Sequence, residues 1–258
     1  MTNAAPPSLR ILITGGTSGI GFASAMKLAR SGPVRIVING RNIERGEAAR
    51  HQLMQAAPNA RVHFVPADFS SQEGVKRLVQ EASVHLDGGF DVLVNAAGGD
   101  FAPKLFHETS LDELDGIVRH WLLGTMYCCR LALPLMADGG SIVNVASDAA
   151  KVPTPGESAI GAAMAGITMF SRTLALEAKR RKIRVNVVTP SLVRNTMSHD
   201  RITADGFSAK LFAKAAAAAH LGVAEPEDVA AVIVFLAGPD TKRVTGQVLS
   251  INGGISAG

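Results

Sequence analysis

Short apolar runs, most of them rich in β-branched residues, recur along the chain at residues 9–13, 34–39, 61–66, 90–95, 141–146, 183–189 and 247–251. They are continuous more than alternating in polarity, the pattern of strands covered on both faces. Between them the apolar positions fall at a spacing of three and four, predicting helices over 22–30, 44–56, 71–85, 111–136, 157–181 and 226–236. Ser70-Ser71-Gln72-Glu73 and Ser110-Leu111-Asp112-Glu113 carry the serine and glutamate of a capping box and mark two helix starts. Strand and helix in strict alternation predict a doubly wound α/β fold, a seven-stranded parallel sheet with right-handed crossovers and helices on both faces.

Composition narrows the classes of function. With 258 residues, 47% of them hydrophobic, the chain suits one domain with an ample core. Net charge is only +4. The one dense basic run, Lys179-Arg180-Arg181-Lys182, closes a predicted helix, where cations offset the negative end of the dipole. No aromatic residues interleave with it, so a nucleic-acid partner is not expected. Residues 1–8 hold Pro6 and Pro7 without a basic cluster and read as a tail, not a secretory signal. No stretch is expected to reach the roughly 18 to 20 apolar residues that span a bilayer. Cys128 and Cys129 are neighbours in a predicted helix and cannot form an ordinary bridge, which suits a reducing cytoplasm. The expected partner is a small-molecule substrate, without a membrane or a metal.

Candidate chemistry starts at Thr14-Gly15-Gly16-Thr17-Ser18-Gly19-Ile20-Gly21, between the first strand and the first helix. The free N–H groups and the positive end of the helix converge there, and glycines let a diphosphate approach the backbone. A tight turn with no ligand reads the same way from this motif alone. Three residues separate Gly15 from Gly19, where large dehydrogenases have one. With Asn95-Ala96-Ala97-Gly98, Val185-Asn186-Val187-Val188-Thr189-Pro190-Ser191 and the closing 244–254 segment, this resembles the short-chain dehydrogenase/reductase family over nearly the whole chain.

The resemblance implies a Rossmann domain holding a nicotinamide cofactor. Gly15, Thr17, Ser18, Ile20 and Gly21 would meet the diphosphate, and Asp68 and Phe69 the adenine. Asn95 would brace the sheet while Ala96 and Gly98 let ribose and adenine lie on the backbone. Pro190, Val193 and Thr196 would meet the carboxamide and diphosphate, and residues 197–221 would form a mobile flap over the substrate. The family's acidic position after the second strand is Gly40 here, followed by Arg41. A cation suits a 2′-phosphate, so NADP(H) is expected in preference to NAD(H), with no acidic residue placed to repel the phosphate.

The catalytic half of the pattern departs from the family. Ser147 carries over, but the positions of the family's tyrosine, lysine and asparagine hold Ile160, Met164 and Trp121. Isoleucine has no proton to give, and general acid–base help is worth roughly 10²- to 10⁴-fold. The missing ammonium also removes stabilisation of a developing alkoxide. All three replacements are apolar and are expected to meet on one side of the nicotinamide pocket.

Polar groups remain between Ser147 and Ile160: Asp148, Lys151, Glu157 and Ser158. Ser147-Asp148-Ala149-Ala150 with Gly156-Glu157 resembles family members that oxidise cyclic or aryl-substituted hydroxyacyl-CoA thioesters. His120 and the lone tyrosine, Tyr127, have no role assignable from sequence. Three readings stay open: an oxidoreductase whose proton comes from outside the family tetrad, a cofactor-binding but inactive subunit paired with an active homologue, and a dehydratase or isomerase using Asp148 or Glu157 as base. Met126, Leu131, Leu135, Met164, Ile167, Met169 and Phe170 exceed what one sheet-facing helix side would use, implying a dimer or tetramer.

Overall fold

All seven apolar runs become strands of one parallel sheet in the order β3-β2-β1-β4-β5-β6-β7. They are β1 (Leu9–Thr14), β2 (Val34–Gly40), β3 (Arg61–Pro66), β4 (Phe90–Asn95), β5 (Met136–Val145), β6 (Arg184–Pro190) and β7 (Val248–Ile251). The computed structural model describes residues 8–204 and 206–257, so the tail expected over 1–8 lies, except for Ser8, outside the described residues. The helices are α1 (Gly19–Ala29), α2 (Ile43–Ala56), α3 (Gln72–His85), α4 (Leu111–Ile117), α5 (Gly124–Ala132), α6 (Ser158–Ala178), α7 (Met197–Thr203), α8 (Gly206–Ala218) and α9 (Pro226–Ala237).

Strand periodicity divides the core in two. Ile11 and Ile13 of β1 pack with Ala25, Leu28, Leu53 and Ile233, which belong to α1, α2 and α9. Leu12 faces the other way, toward Leu78, Ala82, Cys129 and Leu174 of α3, α5 and α6. Burial on both faces is why the strands read as unbroken apolar runs. The chain leaves β1 for β2 on one side and reaches β4 on the other, with Thr14 opposite Asn95. A crevice therefore opens at the carboxyl ends of β1 and β4.

Behind that crevice runs a buried polar ladder. Asn95 Nδ2 donates to Asn144 Oδ1 at 2.8 Å, Asn144 Nδ2 donates to Ser171 Oγ at 2.9 Å, and Ser171 Oγ donates to the Ile167 carbonyl at 2.7 Å. It ties β4, β5 and α6 together.

Four expectations need correction. The helix predicted over 111–136 is broken by a wide π-helical turn at Val118–Leu123, and β5 already begins at Met136 after the short turn containing Pro134. Helical periodicity survives one inserted residue, so the pattern hid the break. The serine that caps α3 is Ser71, which accepts from Gly74 N, while Ser70 binds Asp68; the box at Ser110 and Glu113 does form. Met164 and Ile167 are buried in the core, not exposed, although Met169 is exposed. Finally, Ser158–Arg181 is long and apolar enough to cross a bilayer by length and composition. In this fold that segment buries Ile160, Ala163, Ile167 and Leu174 as a core helix.

Candidate active site

The turn after β1 and the end of β4 nearly touch. A Cβ on Gly15, whose φ is +65°, would lie 2.5 Å from the Ala96 carbonyl oxygen, and one on Gly21 would lie 2.3 Å from the Gly15 carbonyl oxygen. Only glycine fits either place. Ser18 precedes α1 in extended conformation without a side-chain cap bond, and the first turn of α1 has no acidic residue. The leading N–H groups of α1 thus remain available to an anion. They face a cleft of about 560 Å³ lined by Gly15, Thr17, Ser18 and Ile20 on this side. The residues fit a dinucleotide: glycines hold the backbone open where a diphosphate needs it, at an uncapped helix end.

At the end of β2, a Cβ on Gly40 would come within 2.7 Å of Thr17 Oγ1, so a larger residue there would have to shift the Thr17 side chain. Arg41 and Arg45 line the cleft beside it, and Arg45 Nε is buried without a hydrogen-bond partner. Arg41 is not free. Its Nη2 lies 2.5 Å from Asp100 Oδ2, and Arg201 of α7 holds Asp100 Oδ1 at 3.1 Å. The guanidinium of Arg41 keeps the Asp100 carboxyl below its ordinary range. An acidic group therefore does stand where none was expected, brought in from the loop after β4.

The remaining expected contacts divide. Phe69, Ala96, Gly98, Pro190, Val193 and Thr196 line the cleft. Thr196 caps α7 through a bond from His199 N at 3.1 Å. Asp68 is exposed and outside the cleft lining; its carboxylate accepts from Ser70 N and Oγ, at 2.9 and 2.8 Å. Asn95 lies in the buried ladder, where it braces β4 against β5.

At the far end, Trp121, Ile160 and Met164 all line the cleft and pack in one apolar cluster with Ile117, Ala146 and Ile167. The π-helical turn presents Trp121, whose ring meets Phe101 edge-on at 5.7 Å. Ser147 lines this end, its Oγ accepting from Ala149 N at 3.2 Å. His120 is buried, with Nε2 2.6 Å from the Gly98 carbonyl, and burial lowers its pKa. Since a carbonyl only accepts, Nε2 carries the proton and donates it there. Tyr127 packs against the core cluster formed by α3, α5 and α6 and does not line the cleft. Asp148 and Glu157 complete the lining.

The sequence model described as enoyl-(acyl carrier protein) reductase matches residues 15–256. The 3-oxoacyl-(acyl-carrier-protein) reductase FabG of Chlamydia pneumoniae is 33% identical over 252 residues, covering 96% of this chain and 96% of that protein. This chain is a short-chain dehydrogenase/reductase. Glucose 1-dehydrogenase of Gluconobacter oxydans is 30% identical, over 96% of this chain and 91% of that protein. Among solved structures, a dehydrogenase/reductase from Sinorhizobium meliloti 1021 matches with a TM-score of 0.86 and 32% identity, over 97% of each chain. A short chain dehydrogenase from Burkholderia cenocepacia J2315 in complex with NADP matches at 0.86 and 29% identity, covering 96% of this chain and 98% of that one.

In this short-chain dehydrogenase/reductase, sequence reasoning missed Arg45, Asp100 and Arg201. Arg45 had a signal, being in the first turn of α2 just after the Arg41 loop. Asp100 and Arg201 had none, because 59 residues separate Asp100 from Arg41 and 101 separate it from Arg201.

Proposed function

We propose that this protein is an NADP(H)-dependent oxidoreductase acting on a carbonyl or hydroxyl substrate of the ketone or hydroxyacyl-thioester class, with a proton donor from outside the family tetrad. The observation that carries the reading is the glycine cradle at the uncapped start of α1, opening on the same cleft as Arg41 and Arg45. When bound, the nicotinamide supplies or accepts the hydride. The chain's own part is to hold the diphosphate on the α1 N–H groups and to meet a 2′-phosphate with Arg41 and Arg45. Trp121, Ile160 and Met164 exclude water from the reacting end.

Arg41→Ala should weaken NADPH and leave NADH nearly unchanged in calorimetric titration. The loss should sit near the low end of the roughly 1.5 to 3 kcal/mol typical of hydrogen bonds to charged groups. Arg41 is half-exposed and must first give up Asp100, which reduces its net contribution. Equal loss for both cofactors would reject the assignment.

Association into a dimer or tetramer is part of the same reading, with a second copy or a homologous subunit as partner. Met169 and Leu176 of α6 are 61% and 64% exposed, as are Val118 at 39% and Leu111 at 83% on the α4 side. Apolar side chains concentrated on neighbouring helices favour a covered surface. Light scattering at micromolar concentration should show a species of at least twice the 26.9 kDa chain mass; a monodisperse monomer would contradict it. Two buried free thiols support a reducing, cytoplasmic setting.

A further inference from the structure

Few groups at the apolar end of the cleft have a proton to exchange. His120 spends its Nε2–H on the Gly98 carbonyl. Asp148 is saturated by donors: Asn252 Nδ2 at 2.5 Å, Ser256 Oγ at 2.6 Å and Ser250 Oγ at 3.2 Å, with Lys151 Nζ at 3.7 Å. It anchors the end of the chain beside Ser147. The Ser147 hydroxyl accepts from Ala149 N, a backbone group that cannot take its proton. Glu157 is a further carboxyl lining the cleft.

Glu157 stands immediately before α6, one helical turn ahead of Ile160, and both residues line the cleft. Glu157 is the N-cap of α6, and its backbone carbonyl accepts from Gly161 N at 2.6 Å, which ties it to the first turn that carries Ile160. We propose that Glu157 is the proton donor and acceptor of this site, serving from one turn earlier the role that tyrosine serves in the family. This rests on the oxidoreductase reading above. In reduction, the Glu157 O–H bond breaks as a new O–H bond forms on the substrate oxygen, leaving a carboxylate that regains a proton from water. The electron pair and the carbon-bound hydrogen are those supplied by the reduced cofactor of that reading. In oxidation the carboxylate takes the hydroxyl proton.

The surroundings suit this work. Burial pushes the Glu157 carboxyl up to about 7, the Asp148 carboxylate adds to the push, and a hydrogen bond with Thr154 opposes both. Two carboxyls in unlike settings, one saturated by donors and one held partly dry, are the arrangement that separates acid from base in other sites. The charge acting on it is that of Asp148, itself beside Lys151 in the turn after β5; Lys104 and Lys214 of α8 are further cations. Lys104 donates its backbone N–H to the Gly156 carbonyl, its ammonium lies 2.6 Å from Glu113, and Lys214 lines the cleft. The apolar replacement at Met164 then has a physical reason. A lysine there would favour the charged form of Glu157 and pull its pKa down, whereas methionine leaves it poised near neutrality.

The test uses the whole protein. Carbon-13 NMR of the cofactor-free protein labelled at glutamate should show one carboxyl titrating near 7 that is absent from Glu157→Gln. That variant should bind NADPH like the wild type, yet lose on the order of 10²- to 10⁴-fold in kcat on a ketone that the wild type reduces. Wild-type reduction should fall as pH rises through about 7 and oxidation should rise, because the first needs the acid and the second the carboxylate. Glu157→Asp should retain part of the rate with the same pH form. Undiminished turnover in Glu157→Gln, or a Glu157 carboxyl titrating in the ordinary range, would overturn the proposal. Failure of the wild type itself to bind NADPH would instead sink the oxidoreductase reading and this role with it.

Discussion

Gly15→Ala is expected to remove cofactor binding and to cost the fold several kcal/mol together. The new Cβ would meet the Ala96 carbonyl oxygen at 2.5 Å and Ala97 Cα at 2.7 Å, both backbone, so no rotamer change relieves it. At φ +65° an L-residue also bears the left-handed penalty of about 1 to 2 kcal/mol, and overpacking adds about 1 to 3. For a chain of this size the sum implies a Tm lower by roughly 5 to 15 °C. Spreading β1 from β4 would misdirect the N–H groups of the glycine turn. Two charge-assisted hydrogen bonds at about 1.5 to 3 kcal/mol each correspond to on the order of 100-fold or more in affinity. Calorimetry for Tm and a fluorescence titration with NADPH check both halves; a variant that binds NADPH like the wild type would show that the cradle is not where the diphosphate sits.

Rebuilding the family tetrad is the second large effect. Ile160→Tyr alone should do little for rate and should lower stability by about 1 to 3 kcal/mol, because position 160 is 7% exposed and packed in the cluster containing Trp121. Its phenol, with no ammonium nearby, would keep a pKa of roughly 10. Met164→Lys alone would bury an ammonium among Ile117, Ala146 and Ile167, at a cost of several kcal/mol. Combined with Trp121→Asn, the three changes make room for one another. Introduced into Glu157→Gln, they should raise ketone reduction by on the order of 10²-fold. If that protein folds and binds NADPH but gains nothing, Ser147 does not hold the geometry that the tyrosine route needs.

Much of the fold was legible because strands covered on both faces must be apolar throughout, whichever way each residue points. β3 and β4 fall at residues 61–66 and 90–95 as the pattern predicts. The π-helical turn was hidden because it adds a residue without interrupting the apolar spacing, and it is the turn that presents His120 and Trp121. Helix α6 misled in another way, since it is apolar on more than one side. Sequence alone could not tell Met164, which faces the core, from Met169, which is exposed. At the site, the glycine turn and Arg41 stood out because their chemistry is local. Asp100 did not, since its meaning depends on two guanidiniums brought from the loop after β2 and from α7. Glu157 was visible as a residue; its dryness and the nearby Asp148 charge exist only in the folded chain.

The single carboxylate of Asp100 sets the Arg41 loop and α7 in contention for one pair of oxygens. A 2′-phosphate that engages Arg41 would leave Asp100 wholly to Arg201, drawing α7 closer to the β4 loop as the cofactor arrives. Departure of the phosphate would return Asp100 to shared use and slacken that mooring. In the proposed NADP(H)-dependent cycle, charge sharing of this kind would set a sequence: cofactor in before α7 settles, and cofactor out after α7 has let go. The pairs are partly exposed, so rising ionic strength should blur that sequence toward random order.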